Sequence, residues 1–264
     1  MTWHTSNRST LIVGSFSTVR LLNIQAYLDR LLAFVRQQSK PLASFAPRLS
    51  ITETYHLDNG DDSVLHITDL LMCPVSAGSV LLVGTTSGLF VIREQTPMKI
   101  AFPTSVWTAG EHIESLGLIE QHSSRLIAMN VLGLDQIYCF DLEQSLVDQQ
   151  LHVTITLPNP YRQIASRLAV HSTNNENDRS SASFECVLGS DHGSFFHHRI
   201  RLLQPAAITT KRSKKSTFDN QRTEIVWPQH AKTAPLPSLL SSCLNEQYLC
   251  LTTSTNLVCI YKRM

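Results

Sequence analysis

A chain of 264 residues with 42% hydrophobic content is long enough for one large all-β domain or two small ones, with a substantial core. Its formal net charge of +1 gives no global attraction to nucleic acid or to an acidic membrane surface. No apolar run approaches bilayer-spanning length, and the opening MTWHTSNRST lacks the basic-then-apolar order of a secretory signal, so no membrane is expected among its partners.

Met1 to Thr10 is read as the tail of an inner strand running into Leu11 to Asn23, LIVGSFSTVRLLN, the first of several apolar hairpins. On that reading the first sheet lacks its innermost strand, which a partner strand or a longer natural chain would supply. Gln25 to Gln38, QAYLDRLLAFVRQQ, breaks the strand rhythm. Leu28, Leu31, Leu32 and Val35 recur at helical spacing, so this insertion is expected to be an amphipathic helix, stopped by Lys40-Pro41. Its apolar stripe either covers the chain's own sheet edge or docks another subunit.

Leu49 to Leu57 and Val64 to Met72 are expected as the two inner strands of a second sheet, joined through the turn Asn59-Gly60-Asp61-Asp62. Val80 to Glu94, VLLVGTTSGLFVIRE, is the clearest stretch in the chain. An apolar run closes at Gly84, a small polar corner comes next, and a second run leads to Arg93 and Glu94, which reads as strand, tight turn, strand. Pro97 and Pro103 bracket the link to a third sheet, whose inner strands are placed at Ser105 to Thr108 and Glu114 to Glu120. The hairpin then returns as LIAMNVLGLDQIYCFD from Leu126, CVLGSDHGSFFHHR from Cys186 and LCLTTSTNLVCIY from Leu249. Between them Leu151 to Leu157 and Ile164 to His171 are taken to open a fourth sheet, and Thr223 to Trp227 and Ser238 to Leu244 a last one. Polar segments 172–183 and 204–222 are expected as mobile loops.

Five hairpins at intervals of roughly 48 to 70 residues fit a repeat of about 40–45 residues carrying insertions. Such a unit cannot bury its own faces and must stack on its neighbours. The recurring hairpins resemble the two outer strands of a blade in the WD40-like β-propeller family. Gly133 to Gln136 stands as the corner and Phe140-Asp141 as the nearest equivalent of that family's Trp-Asp pair, with Leu22-Asn23 next; no copy keeps the Trp. The expected fold is an all-β, WD40-like propeller of about five blades over residues 1–264, the first incomplete, with one helical insertion at 25–38. The resemblance implies a non-enzymatic scaffold that binds other protein subunits.

The residues add local signals. Lys211, Arg212, Lys214 and Lys215 form a basic run that suits nuclear import, or contact with nucleic-acid phosphates as the alternative. Import would place the protein in the nucleus in preference to the cytoplasm. Glu111, Glu114, Glu120, Asp141 and Glu143 are candidates for an acidic rim facing a basic partner. His192, His197 and His198 are not a ligand set, because adjacent strand residues point to opposite faces, and no metal or cofactor is expected. Six scattered cysteines without a Cys-x-x-Cys read as buried, reduced thiols. Neither a nucleophile elbow nor a phosphate-cradling glycine loop is present, so no catalytic residues are assigned.

Overall fold

The computed structural model describes residues 2–3, 10–25, 27–29, 32–33, 49–60, 64–103, 112–120, 125–159, 166–173, 181–190, 195–203, 218–219, 239–244, 247–253 and 258–262. The chain divides into two units, Met1–Ile100 and Ala101–Met264.

The first unit holds two antiparallel sheets. β1 (Thr2–Trp3), β2 (Thr10–Ser15), β3 (Thr18–Asn23) and β4 (Ser50–His56) form one; β5 (Ile67–Val75), β6 (Gly78–Thr85), β7 (Gly88–Arg93) and β8 (Thr96–Ile100) form the other. In each, strands succeed one another across the sheet in chain order. β6 and β7 carry the VLLVG and LFVI runs and are buried on both faces, which is why they read as continuous apolar runs instead of alternating. At their turn the Thr85 hydroxyl donates to the Gly88 carbonyl at 2.8 Å and accepts from the Ser87 amide at 3.1 Å. Gly88 there has φ +123°, open to glycine and rare for other residues.

The two sheets of this unit pack face to face. Ile12, Val19, Leu70, Met72, Leu81, Val83 and Phe90 share one core cluster. Gly14 on β2 is the close approach: a Cβ there would sit 2.7 Å from Ile67 Cγ2 on β5. Two backbone bonds anchor the β2–β3 turn, with Leu57 N–H donating to Ser17 O just past β4 and Ile67 N–H donating to Phe16 O at the start of β5.

The second unit repeats the plan. β9 (Ile113–Glu120), β10 (Arg125–Val131), β11 (Gln136–Asp141) and β12 (Val153–Pro158) form a third sheet. β13 (Ser166–Thr173), β14 (Ser181–Ser190), β15 (Phe195–Leu203) and β16 (Phe218–Asp219) form a fourth. Among the described residues the fifth has three strands, β17 (Leu239–Leu244), β18 (Tyr248–Thr253) and β19 (Val258–Lys262). Third and fourth sheets share a core of Ile119, Leu126, Ala128, Ile137, Cys139, Leu157, Leu168, Cys186 and Leu188.

All five expected hairpins are present, but they are the second and third strands of their sheets, not the outer two. The expected grouping shifts accordingly. Residues 49–57 supply β4, which closes the first sheet, so only β5 opens the second. Residues 151–157 likewise close the third sheet as β12. Pro97 lies inside β8, opposite Ile92, on an edge strand where a missing amide donor is tolerated. The first sheet is not short of a strand: β1 pairs Thr2 with Ile12 and Trp3 with Leu11. Within the segments read as loops, Ser172 and Thr173 extend β13, Ser181 to Ser183 begin β14, and Phe218 and Asp219 pair with β15. Segments 105–108 and 223–227, and the rest of both expected loops, lie outside the described residues.

The helix at Leu142–Asp148 is absent from the sequence-based expectation, because LEQSLVD adjoins a strand directly. Asp141 caps it by accepting from the Gln144 amide at 2.9 Å, Glu143 sits in its first turn, and Gln149 ends it in the left-handed conformation. Asp141→Ala is expected to lower unfolding stability by about 1 kcal/mol, measured by urea titration, with Asp141→Asn recovering most of the loss.

Candidate interaction surface

The proposed acidic rim is distributed and locally committed. Glu114 is 5% exposed, and its Oε1 lies 3.2 Å from His112 Nε2. Glu120 stands exposed at the other end of the same strand, about 20 Å away at ordinary strand rise. Asp141 is the helix cap, and Glu143 accepts from Arg125 Nη1 at 3.3 Å. Glu111 lies outside the described residues, as do Lys211, Arg212, Lys214 and Lys215.

Within the expected insertion helix, Gln25, Tyr27 to Asp29, Leu32 and Ala33 are helical. Asn23 Oδ1 accepts from the Gln25 amide at 2.9 Å, the local cap that starts the turn. Leu28 is half-buried and Leu32 is 53% exposed, so the described part of the apolar stripe is only partly covered by the chain. Leu31 and Val35 lie outside the described residues.

Sequence reasoning missed a buried polar cluster at one end of the third sheet. Asn159 Nδ2 donates to Asn130 Oδ1 at 2.8 Å and to Leu134 O at 3.3 Å, while the Asn159 amide donates to Asp135 O at 2.7 Å. Ser115, register partner of Asn130, accepts from the Leu168 amide of β13 at 3.1 Å. These bonds tie the ends of β9, β10 and β12, and the start of the next sheet, into one satisfied network. Its sequence signal is one asparagine inside the apolar run LIAMNVL.

Chemically, the described residues offer positioning, not reaction. No group of three or more His, Cys, Asp or Glu among them could hold a metal. Burial pushes the Cys139 thiol up to about 12, and burial with Cys139 alongside drives Cys186 well above its ordinary range, so neither forms a thiolate at neutral pH. Cys73, Cys139, Cys186 and Cys250 are unbridged. No described helix is long and apolar enough to cross a membrane.

What the chain does present is margin. Phe16 at the β2–β3 turn is 66% exposed and has φ +50°, its ring 5.3 Å from that of His66. Ile51 on β4 is 56% exposed, and Val258 and Ile260 on β19 are 63% and 66% exposed. All of these lie on turns or edge strands.

Successive antiparallel meanders, four strands to a sheet and packed face to face within each unit, define the class: an all-β protein built in the blades of a WD40-like β-propeller. No family model matches the chain. No curated protein matches it either. Among solved structures it is similar to the Cps50 (Swd1) β-propeller domain of Myceliophteria thermophila, at 13% identity and TM-score 0.49, covering 99% of this chain and 68% of that one. It is similar also to the C-terminal WD40 domain of Sif2, at 10% identity and TM-score 0.42, covering 99% and 71%. The WD40 domain of SCAP from fission yeast is similar at 9% identity and TM-score 0.48, covering 96% and 61%. The class itself rests on the chain's own strand order and packing.

Proposed function

We propose that this chain is a non-enzymatic protein–protein interaction scaffold, a subunit of an intracellular multiprotein assembly that works in the nucleus. The observation that carries the reading is a division of labour among side chains. Described polar groups inside the sheets are spent on one another, as in the Asn130–Asn159 pair, while apolar side chains such as Phe16, Ile51 and Ile260 are left at turns and edges. Stiff sheets with exposed apolar margins suit recognition, and nothing convergent suits bond making.

The nuclear part of the reading is supported by the basic run Lys211-Arg212-Ser213-Lys214-Lys215. The test is purification of the tagged full chain from nuclear and cytoplasmic fractions, with stoichiometric protein partners expected in the nuclear one. Replacing Lys211, Arg212, Lys214 and Lys215 together by Ala is expected to shift a fluorescent fusion to the cytoplasm while leaving the partners bound. The same cations could instead contact phosphate. In that case the quadruple variant loses a salt-dependent affinity for duplex or single-stranded nucleic acid that the parent chain shows. Recovery of the intact chain without any stoichiometric protein would end the scaffold reading.

A further inference from the structure

The fifth sheet differs from the other four in a way that defines a ligand. Each of the others places a fourth strand beside its third: β4 on β3, β8 on β7, β12 on β11, β16 on β15. Under that cover β7 and β11 are buried almost throughout. β19 has the same place in its sheet, paired on one side with β18 from Thr252↔Val258 to Tyr248↔Lys262. Among the described residues nothing pairs with its other side, and every other described strand already belongs to another sheet or lies behind β18 in this one.

An antiparallel edge strand turns the amide and carbonyl of alternate residues away from its one neighbour, ready for another backbone. The side chains agree with the backbone. Val258, Ile260 and Lys262 are spaced by two and therefore share one face, and all three are exposed, the first two at 63% and 66%. Tyr248, opposite Lys262 on β18, is 40% exposed and extends the same face. Natural sheets blunt a free edge with charge, proline or a bulge. β18 and β19 instead pair in unbroken register over five residue pairs, with two aliphatic side chains displayed.

We infer that β19 is the acceptor for an extended segment of a partner protein, which adds antiparallel as the fourth strand of this sheet. The segment carries apolar residues at alternate positions, set beside Val258 and Ile260, and an acidic residue opposite Lys262. Backbone bonds supply the docking geometry, and the Val258–Ile260–Lys262 row supplies the selection. This rests on the scaffold reading and gives it a place: the strand-accepting edge is on the last sheet, not the first.

The test uses the full chain and a synthetic peptide of about eight residues alternating Val and Thr between terminal Glu residues. Amide hydrogen exchange is monitored along β19, and peptide affinity by fluorescence anisotropy. The expected result is slowed exchange at alternate β19 amides when peptide is present, with roughly tenfold weaker binding for Ile260→Asp and for Val258→Asp. Val147→Asp, on the exposed face of the helix Leu142–Asp148, is the control and should bind as the parent does. Unchanged circular dichroism certifies that each variant is folded.

Equal binding by Ile260→Asp, or no change in β19 exchange, overturns the proposal. It is overturned too if β19 amides are already protected in the free chain at dilution, since the chain then fills the edge itself. A concentration-dependent dimer abolished by Ile260→Asp would make a second copy the occupant and likewise overturn it. If Ile260→Asp retains every partner that the parent chain captures, the edge proposal fails while the scaffold reading stands. If the parent captures none, the scaffold reading fails whatever the peptide does.

Discussion

Ile119→Ala is expected to lower the stability of the second unit by about 3 kcal/mol, read as a lower urea midpoint at unchanged slope. Ile119 is fully buried in the seam between the third and fourth sheets, among Leu126, Ile137, Leu168, Cys186 and Leu188. Truncation removes apolar contact and leaves a void whose walls belong to two paired sheets. Strands held by ladders on both sides cannot collapse far into a hole, so the loss should lie toward the upper part of what buried aliphatic truncation produces. Hydrogen exchange should quicken in β10 and β14, the strands that line the void, before it changes elsewhere in this unit. A midpoint equal to the parent's would mean that the two sheets do not share this core.

Gly117→Ala tests the same seam from the opposite direction. A Cβ at Gly117 would stand 2.4 Å from Val170 Cγ2 and 3.1 Å from Val170 Cβ, closer than carbon atoms approach. Val170 is β-branched and stiff at its first torsion, so it cannot swing clear as a long side chain would. Relief has to come from moving β9 away from β13, at a cost of about 2 kcal/mol. The cross-strand partner of Gly117 is Ala128, so both strands are small where Val170 presses in. Pairing Gly117→Ala with Val170→Ala should therefore cost less than the two single losses added, with a coupling of about 1 kcal/mol or more. Strict additivity would show that these side chains do not meet.

The two variants also separate packing from recognition. Neither position is at a margin, so partner capture by molecules that remain folded should match the parent. Ile260→Asp is expected to show the reverse pattern, with normal stability and impaired strand docking.

Much of the fold is legible in the amino-acid order, for an identifiable reason. The hairpin strands β6 and β7, β10 and β11, and β14 and β15 lie inside their sheets, and β6, β7, β10 and β11 are buried on both faces, so their apolar runs stand out unbroken. Glycine corners mark the turns between several of them. The outer strands are harder to place because burial leaves little mark on them: β4 is mostly exposed and β12 alternates. An exposed strand such as Ser50–His56 has no side-chain signal saying which sheet it joins. Its sequence reads forward toward β5, whereas its ladder runs back to β3.

The residue-level candidates diverge for a related reason. Charge can be counted along a chain, but whether it is available depends on what lies opposite. Glu114 beside His112, Glu143 beside Arg125 and Asp141 beneath a helix start are all acidic letters in sequence and three different commitments in space. The amino-acid order alone settled that the chain is all-β, that it is built from repeated hairpins, and that its interior strands are apolar throughout, because strand periodicity and two-sided burial are local properties. Only the tertiary structure decided which strand closes which sheet, that Asn130 meets Asn159, and that the exposed aliphatic edge belongs to β19. Each of those is a pairing between segments that carry no mark of each other until the backbone ladders bring them together.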